Sequence, residues 1–311
     1  MARSFSNRLI TGLFVLFVFY SPSTLAEDRS PIPPQESDRE TITGAGAHFA
    51  WVIFDSLKDE IEAKTGKNLL LFGKNSSLGM GCNAGIKLAQ QHTHNHKTFG
   101  FVCCPLSEKE LADKKIKIYP LAEEPILILV NSKNPVENLS SEQIRAIFRG
   151  EITNWKDVGG WDRPIVVVTR LHCKKRPGHW KTILPDAGDF TRERLDVSSA
   201  DEMVHMVTRF DTAIGHTGST WTFDKNSKVK AVTVDGMEAT AENLKNGRYP
   251  FHRQLSAVTN MAPSDDVLDT IRQVRYSKSF EAVARKYNLV PLVAPDSGRQ
   301  EPADRTVNSK Q

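Results

Sequence analysis

The chain from residue 41 to about residue 103 alternates between short apolar runs and amphipathic stretches, and this alternation restricts the fold more than any other feature. A strand is predicted at "TITGAGAHF", followed by a helix over "AWVIFDSLKDEIEAKTGK" that ends at Thr65 and Gly66. The strand "NLLLFG", the helix "IKLAQQ" and the strand "TFGFVC" come next. Such an order predicts an α/β fold with a parallel sheet and helices on its faces.

A second α/β unit is predicted after residue 120. It begins with the apolar strand "PILILV" and the amphipathic helix "LSSEQIRAIFRG", which has serines as N-cap candidates. The strands "RPIVVVTRL" and "TAIGHTG" flank the helix "ADEMVHMVTRF", and "RQLSAVTN" returns to extended structure. A chain of 311 residues with two such units predicts two domains that flank a cleft.

The N-terminal residues are typical of a cleaved secretory signal. Arg3 and Arg8 precede the apolar run "LITGLFVLFVFY", and small residues stand near Ala26. Residues 1–26 are therefore predicted to be a signal peptide, so the mature protein is expected to be exported, to the periplasm if the source is a Gram-negative bacterium. Residues 27–40 and 296–311 are polar and are predicted to be a disordered leader and tail. No later run is long and apolar enough for a membrane span.

Charge argues against a nucleic-acid partner. The formal net charge is +4, and the lysines and arginines are interspersed with acidic residues. The glycine-rich turns "GAGAHF" and "NSSLGMGCNAG" point instead to a small anion, because such turns expose backbone N–H groups at helix N-termini.

Four segments resemble those of phosphate-binding-type periplasmic proteins, in order, between about Thr41 and Leu292. They are "TITGAGAHF", "LSSEQIRAIFRGEITNWKDVGGWDRPIVVVTR", "TAIGHTG" and "NGRYPFHRQLSAVTN". The resemblance implies a two-domain periplasmic-binding-protein clamshell of type II with a ligand cleft between the domains. Domain 1 would comprise residues 41–126 and about 250–295 with the hinge strands, and domain 2 residues 127–249.

The chain departs from this family where the family binds phosphate. Cys103 stands at the position of the family's proton-accepting aspartate, whereas the anion-clamping arginine is retained as Arg170. The family's serine and threonine loop is replaced by "CKKRPGH", which contains Cys173 and His179. His48 replaces a threonine beside Phe49, and Cys82 lies in the second glycine-rich turn.

Cysteines around the cleft favour a thiophilic ligand, because sulfur is a poor hydrogen-bond donor to phosphate. The pattern resembles that of the AioX-type arsenic-binding proteins, which report arsenite to a membrane histidine kinase. The resemblance implies that Cys103 binds arsenic, that Arg170 and the turn N–H groups bind the remaining hydroxyls, and that Cys104 is structural. It predicts no catalytic residue, no metal and no cofactor. The implied ligand-binding set is Cys103, Arg170, Cys82, Cys173, His48, Phe49 and His179.

The pairing of the four cysteines stays open. Two disulfides, or one disulfide with two free thiols, are both compatible with an exported chain, and the second arrangement is preferred. Cys82, Cys104 and Cys173 are the candidate disulfide partners. If the strand stays extended, Cys103 and Cys104 point to opposite faces, so that one faces the cleft and the other packs or bridges.

Three other interpretations compete with the arsenite receptor. A phosphate- or arsenate-type binding protein of a transporter or sensor requires inert, bridged cysteines. A thiol oxidoreductase that uses Cys103 lacks a recognised redox motif. The alternating His92, His94 and His96 have no thiolate or carboxylate partner nearby in sequence, so a solvated loop is favoured over a metal site.

Overall fold

The computed structural model describes residues 40–73, 81–176, 178–223 and 226–292. The predicted signal peptide, the leader up to residue 39 and the tail lie outside the described residues, as do residues 74–80 of the second glycine-rich turn. Among the described residues, no helix is long and apolar enough to cross a membrane.

Strands and helices alternate through the described chain as the periodicity predicts. The strands are β1 (Thr41–Gly46), β2 (Asn68–Phe72), β3 (Lys97–Val102), β4 (Ile116–Asn131), β5 (Asn138–Leu139), β6 (Val166–Thr169), β7 (Arg194–Asp196), β8 (Ala213–Gly218), β9 (Val229–Ala231), β10 (Thr233–Val234), β11 (His252–Asn260) and β12 (Val290–Pro291). The helices are α1 (His48–Ser56), α2 (Lys58–Thr65), α3 (Cys82–Gln90), α4 (Glu108–Lys114), α5 (Ser141–Arg149), α6 (Ala200–Arg209), α7 (Ala241–Lys245), α8 (Asp265–Arg275) and α9 (Lys278–Tyr287). Short 3-10 helices span Trp155–Val158 and His179–Thr182.

The main sheet has the order β2-β1-β3-β11-β4-β8-β6-β7, with β9 and β12 also paired to β4. β1 is parallel to β2 and β3, and β11 is antiparallel to both β3 and β4. On the other side of β4, β8 is antiparallel to it and parallel to β6, which is parallel to β7. The α/β fold class is confirmed.

Strand β4 belongs to two halves of this sheet. Its residues up to Pro125 pair with β11, and its residues from Ile126 onward pair with β8 and β9. We call the half with β1, β2, β3, β11 and β12 the first lobe, and the half with β6, β7, β8 and β9 the second lobe. The domain boundaries predicted from the sequence fall beside this change of partner and stay a prediction.

Side-chain alternation along the apolar end of β4 builds the cores of the second lobe. Ile126, Ile128 and Val130 enter one buried cluster, together with Ile144, Ile147 and Phe148 of α5. Leu129 faces the opposite cluster, which contains Met203 and Val207 of α6. Helix α5 begins at a capping box, in which the Ser140 hydroxyl accepts from the Gln143 N–H, and ends at Gly150 in the left-handed region (φ 82°).

Candidate functional site

The end of β3 and the start of α3 approach each other closely because two glycines lie at the contact. A Cβ atom on Gly100 would lie 2.0 Å from the Gly85 carbonyl oxygen, and one on Gly85 would lie 2.6 Å from the Phe101 oxygen. This approach brings Cys82, the first residue of α3, next to Cys103. The Cys103 backbone N–H donates to the Cys82 sulfur at 3.2 Å, and the two Sγ atoms are 3.6 Å apart.

Cys103 and Cys104 do not alternate between two faces as predicted. β3 ends at Val102, and the chain bends at both cysteines. Because the backbone is no longer extended there, the two sulfurs lie within 4.8 Å of each other and of a ring nitrogen of His172. The condition of an extended strand is therefore not met, although Cys103 lies on the cavity wall described below and Cys104 is buried away from it.

All four cysteines of the chain meet in one cluster. The sulfurs of Cys82, Cys104 and Cys173 lie within 4.8 Å of one another, and Cys103 adjoins Cys82 and Cys104. Cys82, Cys103 and Cys104 are buried, whereas Cys173 is half-buried. All four are free thiols, so the disulfide expected among Cys82, Cys104 and Cys173 is not formed in this structure.

The thiols of the cluster differ in their affinity for a proton. Hydrogen bonds from the Cys104 and Cys82 thiols, aided by the nearby Arg176, lower the pKa of Cys173 to about 3. A hydrogen bond with Cys103 likewise lowers the pKa of Cys82. The pKa of Cys104 is raised instead, by hydrogen bonds with the other three cysteines and by burial. The Arg176 Nη1 lies 3.7 Å from the Cys173 sulfur. The cluster therefore holds a thiolate at Cys173 at neutral pH and a protonated thiol at Cys104.

A cavity of about 410 Å³ lies between the two lobes, with Cys82 and Cys103 on its wall. The N-termini of helices α1, α3 and α6 reach this wall through Ala47 and His48, Gly81 and Cys82, and Ser199 and Ala200. Each helix start contributes backbone N–H groups and the positive end of a helix dipole. Such groups are hydrogen-bond donors that suit a small oxyanion or a neutral oxyacid.

Arg170 is the cation on the cavity wall. It follows the last residue of β6, and its Nε donates to the Ser198 carbonyl at 3.0 Å, which holds the side chain beside the start of α6. Burial lowers the pKa of Arg170 from its ordinary value, and the neighbouring Cys103 opposes this effect. The side chain lines the cavity together with Cys103, so one ligand can contact both.

Two histidines lie behind a third that is on the cavity wall. The ring of His172 lies on the wall and packs against that of His179 at 4.4 Å between centroids, and His179 lies 5.8 Å from His216. Burial lowers the pKa of His216 to about 3 and that of His179 well below its usual value. These two imidazoles are neutral at physiological pH and add no positive charge.

A buried ion pair joins the cavity to the strands that connect the lobes. Arg253 of β11 donates from Nε to the Glu124 carboxylate of β4 at 2.6 Å, and both side chains are fully buried. The guanidinium lies over the Phe49 ring, 3.8 Å from its centroid. Its two terminal nitrogens have no hydrogen-bond partner among the described residues. The pair thus supports Phe49, a residue of the cavity wall, from behind.

Five of the seven residues predicted to bind the ligand line this one cavity: His48, Phe49, Cys82, Cys103 and Arg170. Cys173 belongs to the sulfur cluster but opens onto a neighbouring cavity of about 700 Å³, beside Arg176. His179 is buried behind His172 rather than on this wall. The role of these residues in ligand binding stays a proposal.

Other residues of the site had no distinctive signal in the sequence. Ser198, Ser199 and Trp221 line the cavity, and Arg253 and Glu124 lie behind it. The run Ser198-Ser199 just before α6 is an ordinary N-cap pattern, which indicates a helix start but not what the start faces. Arg253 and Glu124 become neighbours only through the pairing of β11 with β4.

Sulfur is the main donor with which the described residues could hold a metal. One group comprises the sulfurs of Cys82, Cys104 and Cys173, and a second comprises Cys103, Cys104 and His172. Thiolate groups of this kind select soft ions. In the loop that suggested a metal site, His94 and His96 are exposed, whereas His92 is buried and its Nδ1 accepts from the Thr98 N–H at 3.0 Å.

Phosphate-binding proteins are among the known proteins that this chain resembles. The phosphate-binding protein PstS of Bacillus subtilis is 28% identical over 145 residues, which are 46% of this chain and 47% of that protein. A Clostridium perfringens substrate-binding protein with bound phosphate has a TM-score of 0.69 at 25% identity, covering 81% of this chain and 100% of its own. A Vibrio cholerae ABC-type phosphate transport receptor has a TM-score of 0.59 at 25% identity, with the same coverage.

The matches differ in how much of the chain and of the matched protein they cover. The chain spans about half the length of the curated relatives it matches. The solved structures confirm the predicted fold class, an α/β clamshell of two lobes. A family model for the PBP superfamily domain matches residues 33–276, which is more than half of the chain. The protein therefore belongs to the PBP superfamily.

Proposed function

We propose that the protein is a periplasmic, non-enzymatic receptor that captures arsenite through the Cys103 thiol. The observation that carries the proposal is the presence of Cys82 and Cys103 on the wall of a cavity that is also formed by three helix N-termini and Arg170. A thiol donates poorly to phosphate but exchanges readily with a hydroxyl of trivalent arsenic. The cavity therefore combines a sulfur ligand with groups that suit an oxyacid.

The chemistry of capture is a ligand exchange. Arsenous acid, As(OH)3, is neutral near pH 7, so it enters a partly buried cavity without the desolvation cost of an anion. The Cys103 sulfur forms an As–S bond, one As–O bond breaks, and the hydroxyl leaves as water with the thiol proton. Arg170 and the N–H groups at the helix starts then donate hydrogen bonds to the arsenic hydroxyls that remain.

Binding would be reported through closure of the lobes. Cys103 belongs to the first lobe and Arg170 to the second, so a ligand held by both favours the closed arrangement. The shift toward that arrangement is limited by the difference in affinity between the closed and open states. The closed surface is the one we expect the periplasmic domain of a membrane histidine kinase to contact, and residues 1–26 would direct export.

Isothermal titration calorimetry of the reduced protein from Glu27 onward, with arsenite, arsenate and phosphate in one buffer, tests this function. We expect arsenite to bind, and Cys103→Ser to weaken its binding by about tenfold or more, a loss of about 1.4 kcal/mol. His94→Gln, at an exposed position outside the cavity, is the control. Unchanged arsenite affinity in Cys103→Ser would contradict the proposal.

A phosphate- or arsenate-type receptor is the second candidate. The phosphate-binding relatives, Arg170 and the helix N-termini favour it, because these groups suit any tetrahedral oxyanion. In that case phosphate or arsenate binds in the titration and arsenite does not. Cys103→Ser would then leave the affinity for the anion nearly unchanged.

A further inference from the structure

Two more sulfurs lie beside Cys103, close enough to share one ligand with it. The Sγ atoms of Cys82 and Cys103 are 3.6 Å apart, and that of Cys104 lies within 4.8 Å of each. Three sulfurs bonded to one central atom at about 2.3 Å are at most about 4 Å apart, so shifts of less than about 1 Å bring the three sulfurs to bonding positions. All three belong to the first lobe, so their spacing does not depend on closure.

The arrangement of the three thiols is held by the backbone. Cys82 is fixed by the close packing of Gly85 on Gly100, and its sulfur accepts from the Cys103 N–H. Cys104 is only 2% exposed and therefore has no direct access to solvent. A ligand set that is already assembled loses little entropy when the ligand arrives, so the second and third bonds form at little further entropic cost.

We propose that Cys82, Cys103 and Cys104 together form a three-sulfur site for trivalent arsenic, in which Cys104 is a ligand rather than a structural residue. The proposal rests on the arsenite-binding function proposed above. The Cys103 adduct described above, whose two hydroxyls Arg170 and the helix starts hold, is then the first stage of the exchange. The second and third thiols displace these hydroxyls, so that overall As(OH)3 and three thiols give a tris-thiolate and three waters: three As–O bonds break, three As–S bonds form, and each thiol proton leaves with a hydroxyl. No electron is transferred.

The charge of the product suits the location. Trivalent arsenic with three thiolates is neutral, whereas a divalent metal ion with the same three thiolates is an anion. Cys82, Cys103 and Cys104 are all buried, so the neutral product avoids the cost of an uncompensated buried charge. The half-buried Cys173 comes from the second lobe, and its sulfur lies beside Cys82 and Cys104, where lobe closure covers the site.

Arsenic K-edge X-ray absorption of the reduced protein with one equivalent of arsenite counts the sulfurs directly and needs no variant. We expect three As–S bonds and no As–O bond. A spectrum with one As–S and two As–O bonds would overturn the three-sulfur site while leaving the arsenite receptor intact. Absence of arsenite binding by the wild-type protein would instead overturn the proposed function and this inference together.

Cys104→Ser, compared by titration with two arsenic ligands, tests the assignment of Cys104. We expect the variant to bind arsenite about 100-fold or more weakly, since even the partners that orient a ligand are worth about 10- to 100-fold. Dimethylarsinous acid, which has one exchangeable hydroxyl and forms one As–S bond, should bind both proteins equally, which also shows that the variant is folded. Equal loss for both ligands, or retention of three As–S bonds in Cys104→Ser, would contradict the assignment.

Discussion

At the scale of single residues, Cys173 differs from the other three cysteines in exposure and in charge. It is half-buried, stands in the left-handed region (φ 51°), and lies beside Arg176. Arg176 is itself held by the Glu110 carboxylate at 2.7 Å and by the Asn83 side chain at 2.7 Å. A cysteine in an electropositive and partly open position is the one that reacts first with an electrophile.

The pH dependence of Cys173 alkylation follows from its low pKa. Because the pKa is about 3, the thiolate fraction is constant between pH 5 and pH 8, and we expect its iodoacetamide labelling rate to stay nearly level over that range. An ordinary cysteine would react about tenfold faster per pH unit below its pKa. Peptide mass spectrometry of short labelling times at several pH values measures the rate at each cysteine. A steep rise at Cys173 would contradict the low pKa.

The positions of the sulfurs illustrate how far residue patterns predict a site. The resemblance of the segments placed Cys82, Cys103 and Arg170 around one cleft, and they line one cavity. Strand alternation would point Cys103 and Cys104 to opposite faces, but β3 ends at Val102, before both cysteines. At this end of β3, Gly100 packs closely against Gly85 of α3. This is a tertiary contact, and the local sequence around the cysteines does not reveal it.

At the scale of elements, the pairing of β11 with β4 carries two ion pairs of opposite character. Arg253 and Glu124 are directly opposite each other and fully buried, and the Thr220 N–H also donates to the Glu124 carboxylate at 2.8 Å. One residue earlier in each strand, the His252 Nδ1 atom lies 2.9 Å from a carboxylate oxygen of Glu123, and this pair is partly exposed. A buried charge that loses its partner is costly, whereas an exposed pair contributes little.

We expect Glu124→Gln to lower the free energy of unfolding by about 3 to 5 kcal/mol, because it leaves Arg253 charged and unpaired in the interior. Glu123→Gln is the matched control at the next residue, with an expected loss below about 1 kcal/mol. Urea denaturation of both variants measures the difference. A loss for Glu124→Gln no larger than that for Glu123→Gln would contradict the assigned role of the buried pair.

The control has its own pH dependence. The hydrogen bond to Glu123 raises the pKa of His252, so the pair stabilises the fold fully below the histidine's unfolded pKa. This contribution is lost as the pH rises through the folded pKa. The small effect of Glu123→Gln should therefore be larger at pH 5.5 than at pH 8.

Periodicity predicted the type of most elements but not their divisions. The predicted helix after β1 is two helices, α1 and α2, divided at Leu57, and the last predicted helix is divided between α8 and α9. Helical spacing of apolar residues continues across both divisions, so it does not reveal them. The Ser277 side chain caps α9 by accepting from the Ser279 N–H, a local signal that could have marked the second division.

At the scale of the whole molecule, the sulfur cluster is one of the places where the lobes meet. Cys104 belongs to the first lobe and Cys173 to the second, with sulfurs within 4.8 Å of each other. In an oxidising compartment this pair, or Cys82 with Cys173, is poised to form the bridge that the cysteine content first suggested. Such a bridge would join the lobes and remove ligands from the arsenic site.

Mild oxidation should therefore form one disulfide between Cys173 and either Cys104 or Cys82. We expect arsenite binding to be lost and the free energy of unfolding to rise by about 4 kcal/mol, as for a closed loop of this length. Thiol counting, peptide mapping and denaturation of the oxidised protein measure these effects, and reduction should restore arsenite binding. Full arsenite affinity in the oxidised protein would contradict the prediction.

The continuity of β4 has a consequence for exchanging specificity between relatives. Since β4 supplies residues to both halves of the sheet and β11 returns beside it, the first lobe consists of two separate stretches of chain, and the second lobe is inserted between them. A chimaera made by splicing one half of this protein onto a phosphate-binding relative would cut through shared strands. Ligand preference is therefore better transferred by exchanging three short segments: the bend after β3, the start of α3 and the segment after β6. The recipient protein then keeps its own strands.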